Sequence, residues 1–333
     1  MKAILSINPG GPDTLQLEDI DAPIPGPEEV RIRIRACGVN YPDTLIIEDK
    51  YQFRPDRPFS PGGEVAGEID AIGSEVLSHK VGDRVIGHLG WGGMAEQAIT
   101  TPDKCMPIPD GMKDYEAAAF MFTYGTSYHA LKQRGNLQAG ETLLVLGAAG
   151  GVGLAAVELG KAMGANVIAA ASTEEKVALA VSRGASKGIV YPKGPFDKTQ
   201  TKELSKLFKE AVGSKGANVI YDAIGGSYAE ASLRSIAWEG RFLVVGFPSG
   251  IPSIPLNLPL LKGCQIAGVF WGSFCERQPV ENTQNVHELY ELFKGKKIRP
   301  YVSARYPLAE SSQAIKDLSE RRAMGKIVVT MDD

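Results

Sequence analysis

The chain has 333 residues, of which 44% are hydrophobic and 23% are charged, and its formal net charge is −3. This length suits two domains, and the apolar content excludes a mainly disordered chain because it is sufficient to build buried cores. The balanced charge excludes a general nucleic-acid binder, which carries a strongly basic field.

The segment before residue 115 is rich in glycine and proline. Short apolar runs lie at residues 30–36, 65–72, 84–86 and 96–100. Turn signals such as Pro61-Gly62-Gly63 separate these runs. Short strands joined by glycine- and proline-rich turns predict a compact β domain, barrel-like or sandwich-like.

From residue 115 onward, apolar runs alternate with helical stretches. The runs lie at residues 143–147, 167–171, 188–191, 218–221 and 242–246, with a sixth at 265–269. This alternation predicts a parallel sheet covered on both faces. A final strand at 327–331 is expected to return to the first domain, because the sixth strand completes the sheet. We therefore predict one domain from residues 1–115 plus 296–333 and a second from residues 116–295.

The strongest local signal is the strand, glycine-rich turn and helix within residues 143–157. Gly147, Gly150 and Gly153 follow a G-x-x-G-x-x-G spacing rather than the strict G-x-G-x-x-G. Glycines allow a tight turn and the close approach of a pyrophosphate, and the helix N-terminus supplies unpaired N–H groups. The pattern predicts a dinucleotide site; close packing of helix and strand without a ligand is the alternative.

The end of the second predicted strand indicates which dinucleotide binds. NAD enzymes usually carry an acidic residue there, ~20 residues after the turn. This strand ends at Ser172 and Thr173, and Lys176 follows in the next helix. A carboxylate would repel a 2′-phosphate, so a hydroxyl and a cation favour NADP. Tyr191 ends the third strand and could reach the same phosphate, whereas Lys176 could also be a solvated helix lysine.

The sequence predicts neither export nor membrane insertion. The longest uncharged apolar stretch, residues 142–157, is shorter than the ~20 residues that span a bilayer. The N-terminus lacks the long apolar segment of a signal peptide. The four cysteines, Cys37, Cys105, Cys264 and Cys275, form no C-x-x-C pair. We expect a cytoplasmic protein without a disulfide framework.

Four motifs in fixed order resemble the medium-chain dehydrogenase/reductase superfamily, and within it the zinc-free quinone oxidoreductase (zeta-crystallin-like) branch. They are ACGVNYPD from Ala36, PGGEVAG from Pro61, GDRV from Gly82 and AAGGVG from Ala148. The resemblance implies a GroES-like β-barrel catalytic domain interrupted by a doubly wound Rossmann domain, with the cofactor in the cleft between them. It also implies a homodimer or homotetramer, commonly built by edge pairing of the Rossmann sheets.

The resemblance also bears on metal binding. Zinc alcohol dehydrogenases of the superfamily carry a cysteine where this chain has Asn40 and a histidine where it has Gly63. A catalytic zinc needs about three protein ligands, and only Glu64 remains of the usual set. We therefore expect no metal, and alcohol oxidation is not expected without a Lewis acid. Cys37 is interpreted as a small buried hydrophobic residue.

Several single residues acquire expected roles from the resemblance. Those expected beside the nicotinamide ribose and carboxamide are Asn40 and Thr126. Those expected at the pyrophosphate are Gly150, Gly151 and Val152. The residues that resemble the family's 2′-phosphate cluster are Ser172, Lys176 and Tyr191. Lys326 stands at a position where a basic residue of the family approaches the phosphates. Those expected to line the nicotinamide are Phe247, Phe270, Trp271 and Gly272.

Tyr51 is the expected proton donor, because it stands in the loop that flanks the substrate cleft in the family. Its phenol is protonated at neutral pH and can donate to a developing enolate or hydroquinone oxygen. A packing role for Tyr51 is the alternative, and Tyr41 and Tyr124 are rival donors.

The sequence thus predicts an enzyme that transfers hydride from NADPH to a quinone or activated enone without a metal, with Tyr51 and Asn40 as catalytic residues. Its partner is a small electrophilic acceptor rather than a nucleic acid or a membrane. One alternative is an NADPH-dependent enoyl-thioester or acrylate reductase, for which Lys50, Arg54 and Arg57 would form a basic entrance. The other is a non-catalytic, crystallin-like protein that binds NADPH.

Overall fold

The structure, a computed structural model, describes residues 1–331, and the chain divides into two compact units. The first unit contains Met1–Phe122 and the segment that starts at Pro300, and the second unit is Thr123–Arg299. These junctions lie a few residues after those expected from the sequence, at 115 and 296.

The first unit is mainly β structure before its junction. Its elements there are β1 (Lys2–Leu5), β2 (Gln16–Asp19), β3 (Val30–Val39), α1 (Tyr41–Ile46), β4 (Glu64–Ile72), β5 (Arg84–His88), β6 (Gln97–Thr100), β7 (Cys105–Pro107) and α2 (Asp114–Ala117). The four apolar runs predicted in this segment are β3 to β6, while β1, β2 and β7 were not predicted. Along β3, alternate residues Val30, Ile32 and Ile34 are buried, as expected for a strand with one face on a core.

The second unit alternates strands and helices. Its elements are α3 (Thr126–His129), β8 (Thr142–Leu146), α4 (Gly151–Ala162), β9 (Asn166–Ala171), α5 (Glu174–Ser182), β10 (Lys187–Val190), α6 (Lys198–Val212), β11 (Ala217–Asp222), α7 (Ser227–Leu233), β12 (Ile236–Val244), α8 (Asn257–Lys262), β13 (Gln265–Gly268), α9 (Trp271–Arg277) and α10 (Pro279–Lys294). All six predicted apolar runs are strands of this unit.

The strands of the second unit form one parallel sheet in the order β10-β9-β8-β11-β12-β13. The predicted doubly wound Rossmann sheet is therefore confirmed. Successive strands proceed outward from β8 in one direction as far as β10, and the chain then returns to β11 on the other side of β8. Ligands of such sheets bind at the carboxyl ends of the strands where this reversal occurs.

The end of the chain returns to the first unit, as predicted. It forms β14 (Val302–Pro307), α11 (Ser311–Ser319) and β15 (Lys326–Thr330). Strand β15 pairs antiparallel with β3, and Ile327 stands opposite Val39. This register brings Lys326 next to the end of β3, where Asn40 begins the turn into α1.

Each unit has its own apolar core. Residues of β3, β4, β15 and α11 share a buried cluster in the first unit. Residues of β8, β9, β11 and the surrounding helices do so in the second unit. Within residues 1–331, no helix is both long enough and apolar enough to cross a bilayer.

Candidate active site

The turn after β8 brings the backbone very close to itself. Gly147 has a φ of +69°, a conformation that side chains disfavour. A Cβ on Gly153 would lie 2.1 Å from the Gly147 carbonyl oxygen, whereas one on Gly150 would lie 3.4 Å from it. Chain geometry therefore requires glycine at positions 147 and 153, and Gly150 leaves the start of the helix open.

The start of α4 has the features of an anion site. Gly150 is its N-cap residue, and the Leu154 N–H donates to the Gly150 carbonyl at 2.8 Å. The N–H groups of Gly151, Val152 and Gly153 precede this first intrahelical bond. Such groups have no intrahelical acceptor and, with the helix dipole, favour a phosphate. The three residues predicted for the pyrophosphate therefore lie where one could be bound.

Helix α3 is fixed against the glycine turn. The Ser127 hydroxyl donates to the Val152 carbonyl at 2.8 Å and lies 2.9 Å from the Tyr221 hydroxyl on β11. The predicted ligand Thr126 directly precedes Ser127 and is half-buried. Ser127 was not predicted, because only the folded chain brings it to the turn.

The residues predicted for a 2′-phosphate follow two neighbouring strands. Ala171 of β9 pairs with Val190 of β10, and the Tyr191 N–H donates to the Ala171 carbonyl at 2.9 Å. Ser172 and Tyr191 therefore lie at the same edge of the sheet. Lys176 is in the first turn of α5. The structure brings the three residues to one edge, and their contact with a phosphate stays a prediction.

The aromatic residues predicted to line the nicotinamide differ in exposure. Phe247 and Phe270 follow β12 and β13 and are 42% and 47% exposed. Trp271 is buried, because its indole lies where a side chain on Gly125 would stand, 2.7 Å from that Cβ position. Gly272 is half-buried in the first turn of α9. Phe247 and Phe270 therefore offer an apolar surface at the carboxyl edge, and Trp271 packs internally.

Asp222 shapes the same edge and was given no role from the sequence. It ends β11, and one of its carboxylate oxygens accepts the N–H groups of Ile224 and Gly225, each at 2.9 Å. Burial raises the pKa of Asp222 to about 6, and the two N–H donors offset part of this rise. The available signal was an aspartate directly before a turn that contains two glycines, Gly225 and Gly226.

A cluster of buried polar side chains lies in the first unit. The Lys326 ammonium donates to the Asn40 Oδ1 at 2.6 Å and to the Val39 carbonyl at 2.9 Å, and it lies 3.5 Å from the Glu64 Oε2. The other oxygen of Glu64 accepts the Phe122 N–H at 2.9 Å. Burial raises the pKa of Glu64, and the Lys326 charge offsets part of the rise.

Asp43 supports Asn40 from the other side. Its two oxygens accept the Asn40 N–H at 2.7 Å and the Gly62 N–H at 3.0 Å. Asp43 therefore ties the start of α1 to the turn before β4. Burial raises its pKa to about 6, although both N–H donors and Lys326 oppose the rise. An aspartate three residues after a helix N-cap was the available sequence signal.

Lys326 was expected to approach the cofactor phosphates, and the structure places it in this buried cluster of the first unit. Its side chain is 5% exposed. The role toward a phosphate stays a prediction, while the contacts with Asn40 and Glu64 are what the described residues show.

Tyr51 packs at the edge of the first unit's core and is half-buried. Its ring meets Phe53 edge-on with centroids 5.8 Å apart. Burial, together with the Asp43 charge, raises the pKa of the phenol. Tyr51 therefore remains protonated at neutral pH and can donate a proton. The rival Tyr124 is buried and donates its hydroxyl to Glu158.

The basic residues near Tyr51 have partners of their own. The Arg57 guanidinium donates to Asp49 at 2.8 Å and to the Ile47 carbonyl at 2.9 Å, and it lies over the Phe59 ring. The Lys50 ammonium pairs with Glu48. Two of the three residues that would form a basic entrance are thus held in local ion pairs.

The positions that carry zinc ligands in related dehydrogenases are built differently here. A Cβ on Gly63 would lie 2.9 Å from the Gly90 carbonyl oxygen, so a histidine there requires the backbone to move. Cys37 is fully buried, as expected, and burial raises the pKa of its thiol well above the ordinary value. Within residues 1–331, no group of three or more His, Cys, Asp or Glu is arranged to hold a metal ion.

Comparison with known proteins agrees with both units. Residues 26–110 match the family described as alcohol dehydrogenase GroES-like domain, and residues 151–291 match zinc-binding dehydrogenase. A quinone oxidoreductase-like protein 2 homolog from Nematostella vectensis is 39% identical over 91% of this chain and 82% of its own length. A quinone oxidoreductase from Pseudomonas aeruginosa is 36% identical, with 96% of each chain covered. The chain belongs to the quinone oxidoreductase family of medium-chain dehydrogenases/reductases.

A solved structure supports the assignment of this chain to the quinone oxidoreductase family. The Escherichia coli quinone oxidoreductase complexed with NADPH matches with a TM-score of 0.90 and 28% identity, over 99% of this chain and 100% of that one. The chain is therefore an oxidoreductase of the zinc-free branch, with a GroES-like domain and a Rossmann sheet.

Proposed function

We propose that this enzyme binds NADPH at the carboxyl edge of the second unit's sheet and uses it to reduce a quinone or an activated enone. The observation that carries the proposal is that this one edge combines the open N-terminus of α4 with Ser172, Lys176 and Tyr191. A helix N-terminus suits the pyrophosphate, and a hydroxyl and a lysine suit a 2′-phosphate. The similarity to a quinone oxidoreductase whose structure contains NADPH supports it.

When bound, NADPH supplies the hydride, and the chain's residues orient the reactants and move a proton. Lys326 and Glu64 hold the side-chain amide of Asn40, and Asp43 accepts its backbone N–H, so the amide is a fixed polar group. Tyr51, whose phenol stays protonated, donates a proton to the oxygen on which negative charge develops. Reduction of a quinone to a hydroquinone then needs one hydride and one proton, which Tyr51 donates and which solvent can return to its phenolate. The cytoplasmic location expected from the sequence remains a prediction.

The acceptor decides between this proposal and its alternatives. The test is the loss of NADPH absorbance by the purified enzyme with an ortho-quinone, a para-quinone, a 2-alkenal and a crotonyl thioester, each repeated with NADH. We expect turnover on quinones or the alkenal with preference for NADPH. Turnover on the thioester alone would instead favour the acyl-thioester reductase, for which Arg54 is the member of the proposed entrance that forms no ion pair within residues 1–331. NADPH binding without any turnover would favour the non-catalytic protein.

Tyr51→Phe tests the proton donor. Loss of a general acid lowers kcat by about 10²-fold or more, because the phenol contributes to the transition state. The KM for NADPH should change little, and the ring should keep its contact with Phe53. A kcat equal to that of the unmodified enzyme on every accepted substrate would remove Tyr51 from this role.

We also propose that the enzyme forms a homodimer through β13. This strand ends the sheet order, and its Ile266 is 39% exposed, while Leu260 and Leu261 of the neighbouring α8 are 77% and 65% exposed. An apolar edge strand is a template for pairing, and a second copy of the same strand would cover it. Light scattering should give a dimer or tetramer mass for the native chain, and Ile266→Lys should shift it toward the monomer.

A further inference from the structure

The loop that follows β10 is fastened to a single phenol of the second unit. The Tyr228 hydroxyl, on α7, accepts the Gly194 N–H at 2.9 Å and donates to the Pro192 carbonyl at 3.0 Å. Tyr228 itself is buried, with 4% of its surface exposed. Both neighbours of Lys193 are therefore tied to the same oxygen atom, and this restricts the backbone at Lys193.

The ring of Tyr228 holds the chain on both sides of this loop. It contacts the Tyr191 ring at a centroid distance of 4.9 Å and meets the Phe196 ring edge-on at 5.0 Å. A Cβ on Gly194 would lie 3.1 Å from the Ser227 hydroxyl, so the loop also lies close to the start of α7. The ring and the hydroxyl of Tyr228 together fix the conformation of residues 191–196.

The loop begins at the edge of the sheet proposed for the 2′-phosphate. The Tyr191 N–H donates to the Ala171 carbonyl at 2.9 Å, and Ser172 directly follows Ala171. Lys193 is two residues beyond Tyr191, so their Cα atoms are at most about 7 Å apart. The Lys193 side chain is exposed and forms no ion pair within residues 1–331. Its backbone is held while its ammonium remains available to an anionic ligand.

We propose that Lys193 is a second cation for the 2′-phosphate of NADPH, in addition to Lys176, and that Tyr228 is the residue that positions it. A 2′-phosphate carries about −1.5 to −2 charges at neutral pH, so a single lysine leaves part of its charge uncompensated. Lys193 acts through its charge and favours NADPH over NADH, whereas Tyr228 acts through the loop. The inference rests on the proposed function, because it requires the dinucleotide to bind at this edge.

The Tyr228 hydroxyl can be separated from the packing of its ring. A phenylalanine at this position keeps the ring contacts with Tyr191 and Phe196, but it leaves the Gly194 N–H and the Pro192 carbonyl without their partner. The loop then loses the two hydrogen bonds that flank Lys193, and its side chain samples more positions. A side chain that is ordered before binding reduces the entropy lost when the ligand binds. Removing the hydroxyl should therefore weaken the contribution of Lys193.

The dissociation constants of NADPH and NADH, measured by the change in dinucleotide fluorescence, test the role of Lys193. Lys193→Met should weaken NADPH binding about five- to ten-fold, the effect of one cation close to a phosphate at the protein surface. NADH binding should change by less than about two-fold, within the scatter of distant substitutions. Lys193→Arg keeps the charge and should restore most of the affinity. Equal losses for both dinucleotides, or no loss for NADPH, would overturn the proposal.

Tyr228→Phe and the double variant with Lys193→Met test the positioning role. Tyr228→Phe alone should weaken NADPH binding about three- to five-fold, in the range of a lost hydrogen bond. If Tyr228 acts through Lys193, the double variant should bind NADPH within about two-fold of Lys193→Met, the scatter of such cycles. Losses that multiply, or a Tyr228→Phe variant that binds as tightly as the unmodified enzyme, would remove Tyr228 from this role.

The salt dependence of NADPH binding distinguishes a phosphate contact from an effect on packing. The affinity of the unmodified enzyme should fall as ionic strength rises, and it should fall less steeply in Lys193→Met, since salt screens exposed charges. Lys206→Met, which replaces an exposed lysine of α6, is the matched control and should change neither the affinity nor its salt dependence. A salt dependence in Lys193→Met equal to that of the unmodified enzyme would overturn the phosphate contact.

The experiment separates this inference from the proposed function. An unmodified enzyme that does not bind NADPH would refute the proposed function itself. An enzyme that binds NADPH, and whose preference over NADH is unchanged in Lys193→Met, would refute only the role of Lys193. The preference would then depend on Ser172, Lys176 and Tyr191 without a second cation.

Discussion

The glycine turn of the second unit and the polar cluster of the first unit are built in opposite ways. The turn uses backbone groups of consecutive residues, and most of these residues are glycines, which have no side chain. The cluster uses side chains from Asn40, Glu64 and Lys326, and the contact between Lys326 and Asn40 joins residues 286 positions apart in the sequence. The turn therefore depends on the space that glycines leave for the backbone, whereas the cluster depends on the Lys326 charge compensating the buried Glu64 carboxylate. Substitutions should therefore affect the two regions through different physical causes.

The largest effect is expected from removing the cation of the cluster. Lys326→Met leaves Glu64 buried and unpaired, which lowers the free energy of unfolding by about 3–5 kcal/mol. Urea denaturation followed by circular dichroism measures this loss. Adding Glu64→Gln should restore much of the stability, because it removes the uncompensated charge.

Lys80→Met is the control for the loss of a lysine. Lys80 is exposed and pairs with Asp83 at 3.5 Å, so its replacement should change stability by no more than ~0.5 kcal/mol. A Lys326→Met variant as stable as Lys80→Met would show that the cluster is not held by charge compensation.

The next effect tests space at the glycine turn. Gly153→Ala places a Cβ 2.1 Å from the Gly147 carbonyl oxygen, so the backbone at Gly147 or at residue 153 must shift. We expect a loss of about 3 kcal/mol in the free energy of unfolding and a large loss of NADPH affinity. Gly150→Ala, whose Cβ has an ordinary contact at 3.4 Å, should keep the stability within ~1 kcal/mol. Equal losses in the two variants would contradict the steric explanation.

The contrast between the regions also explains what the sequence could predict. The alternation of apolar runs and helical stretches predicted every strand of the second unit's sheet, because buried parallel strands are continuous apolar runs. The glycine turn was predictable since its residues are consecutive. Ser172 and Tyr191 were predicted as a pair because parallel strands end at one edge.

The first unit shows why the rest could not be predicted. The environment of Lys326 depends on the register of β15 against β3, which no local pattern specifies. The edge strands β1 and β2 are short, and β2 is exposed throughout, so its sequence carries no burial pattern. Arg57 was considered from the sequence only as part of a basic entrance, but folding brings Asp49 and the Ile47 carbonyl to its guanidinium. These side-chain contacts arise only when the chain has folded.

A pH dependence of stability tests the buried carboxylate of the second unit. Asp222 has a pKa raised by burial from 3.8 to about 6. Between these values the folded state binds more protons than the unfolded state, so stability falls as pH rises through this window, by on the order of 3 kcal/mol. Asp222→Asn removes this contribution and should flatten the fall. Its oxygen can still accept the N–H groups of Ile224 and Gly225.

The measurement is urea denaturation at several pH values between 4 and 7. Asp43, with the same direction of pKa change, remains in the variant, so the slope should decrease and not vanish. Asp83→Asn is a control that should leave the slope in this pH range nearly unchanged, because the Lys80 N–H lowers the pKa of Asp83 and its titration lies below the range. Stability from Asp83 is present above its ordinary pKa and is lost as pH falls. An unchanged slope in Asp222→Asn would show that its carboxyl does not titrate in this window.

The smallest effect is expected at the other lysine of the comparison. Lys176 lies in the first turn of α5 and is only half-buried, so Lys176→Met should change the free energy of unfolding by no more than ~0.5 kcal/mol. If its ammonium binds the 2′-phosphate, kcat/KM with NADPH should fall about ten-fold, the low end for a charged hydrogen bond, and kcat/KM with NADH should not change. Lys206→Met, which replaces an exposed lysine of α6, should alter neither. Equal losses with both dinucleotides would assign Lys176 to the pyrophosphate or to packing, and the preference for NADPH would then depend on Ser172 and Tyr191. A lysine that changes cofactor choice without changing stability, beside one that changes stability through a buried carboxylate, would show that the two units use the same side chain for different physical purposes.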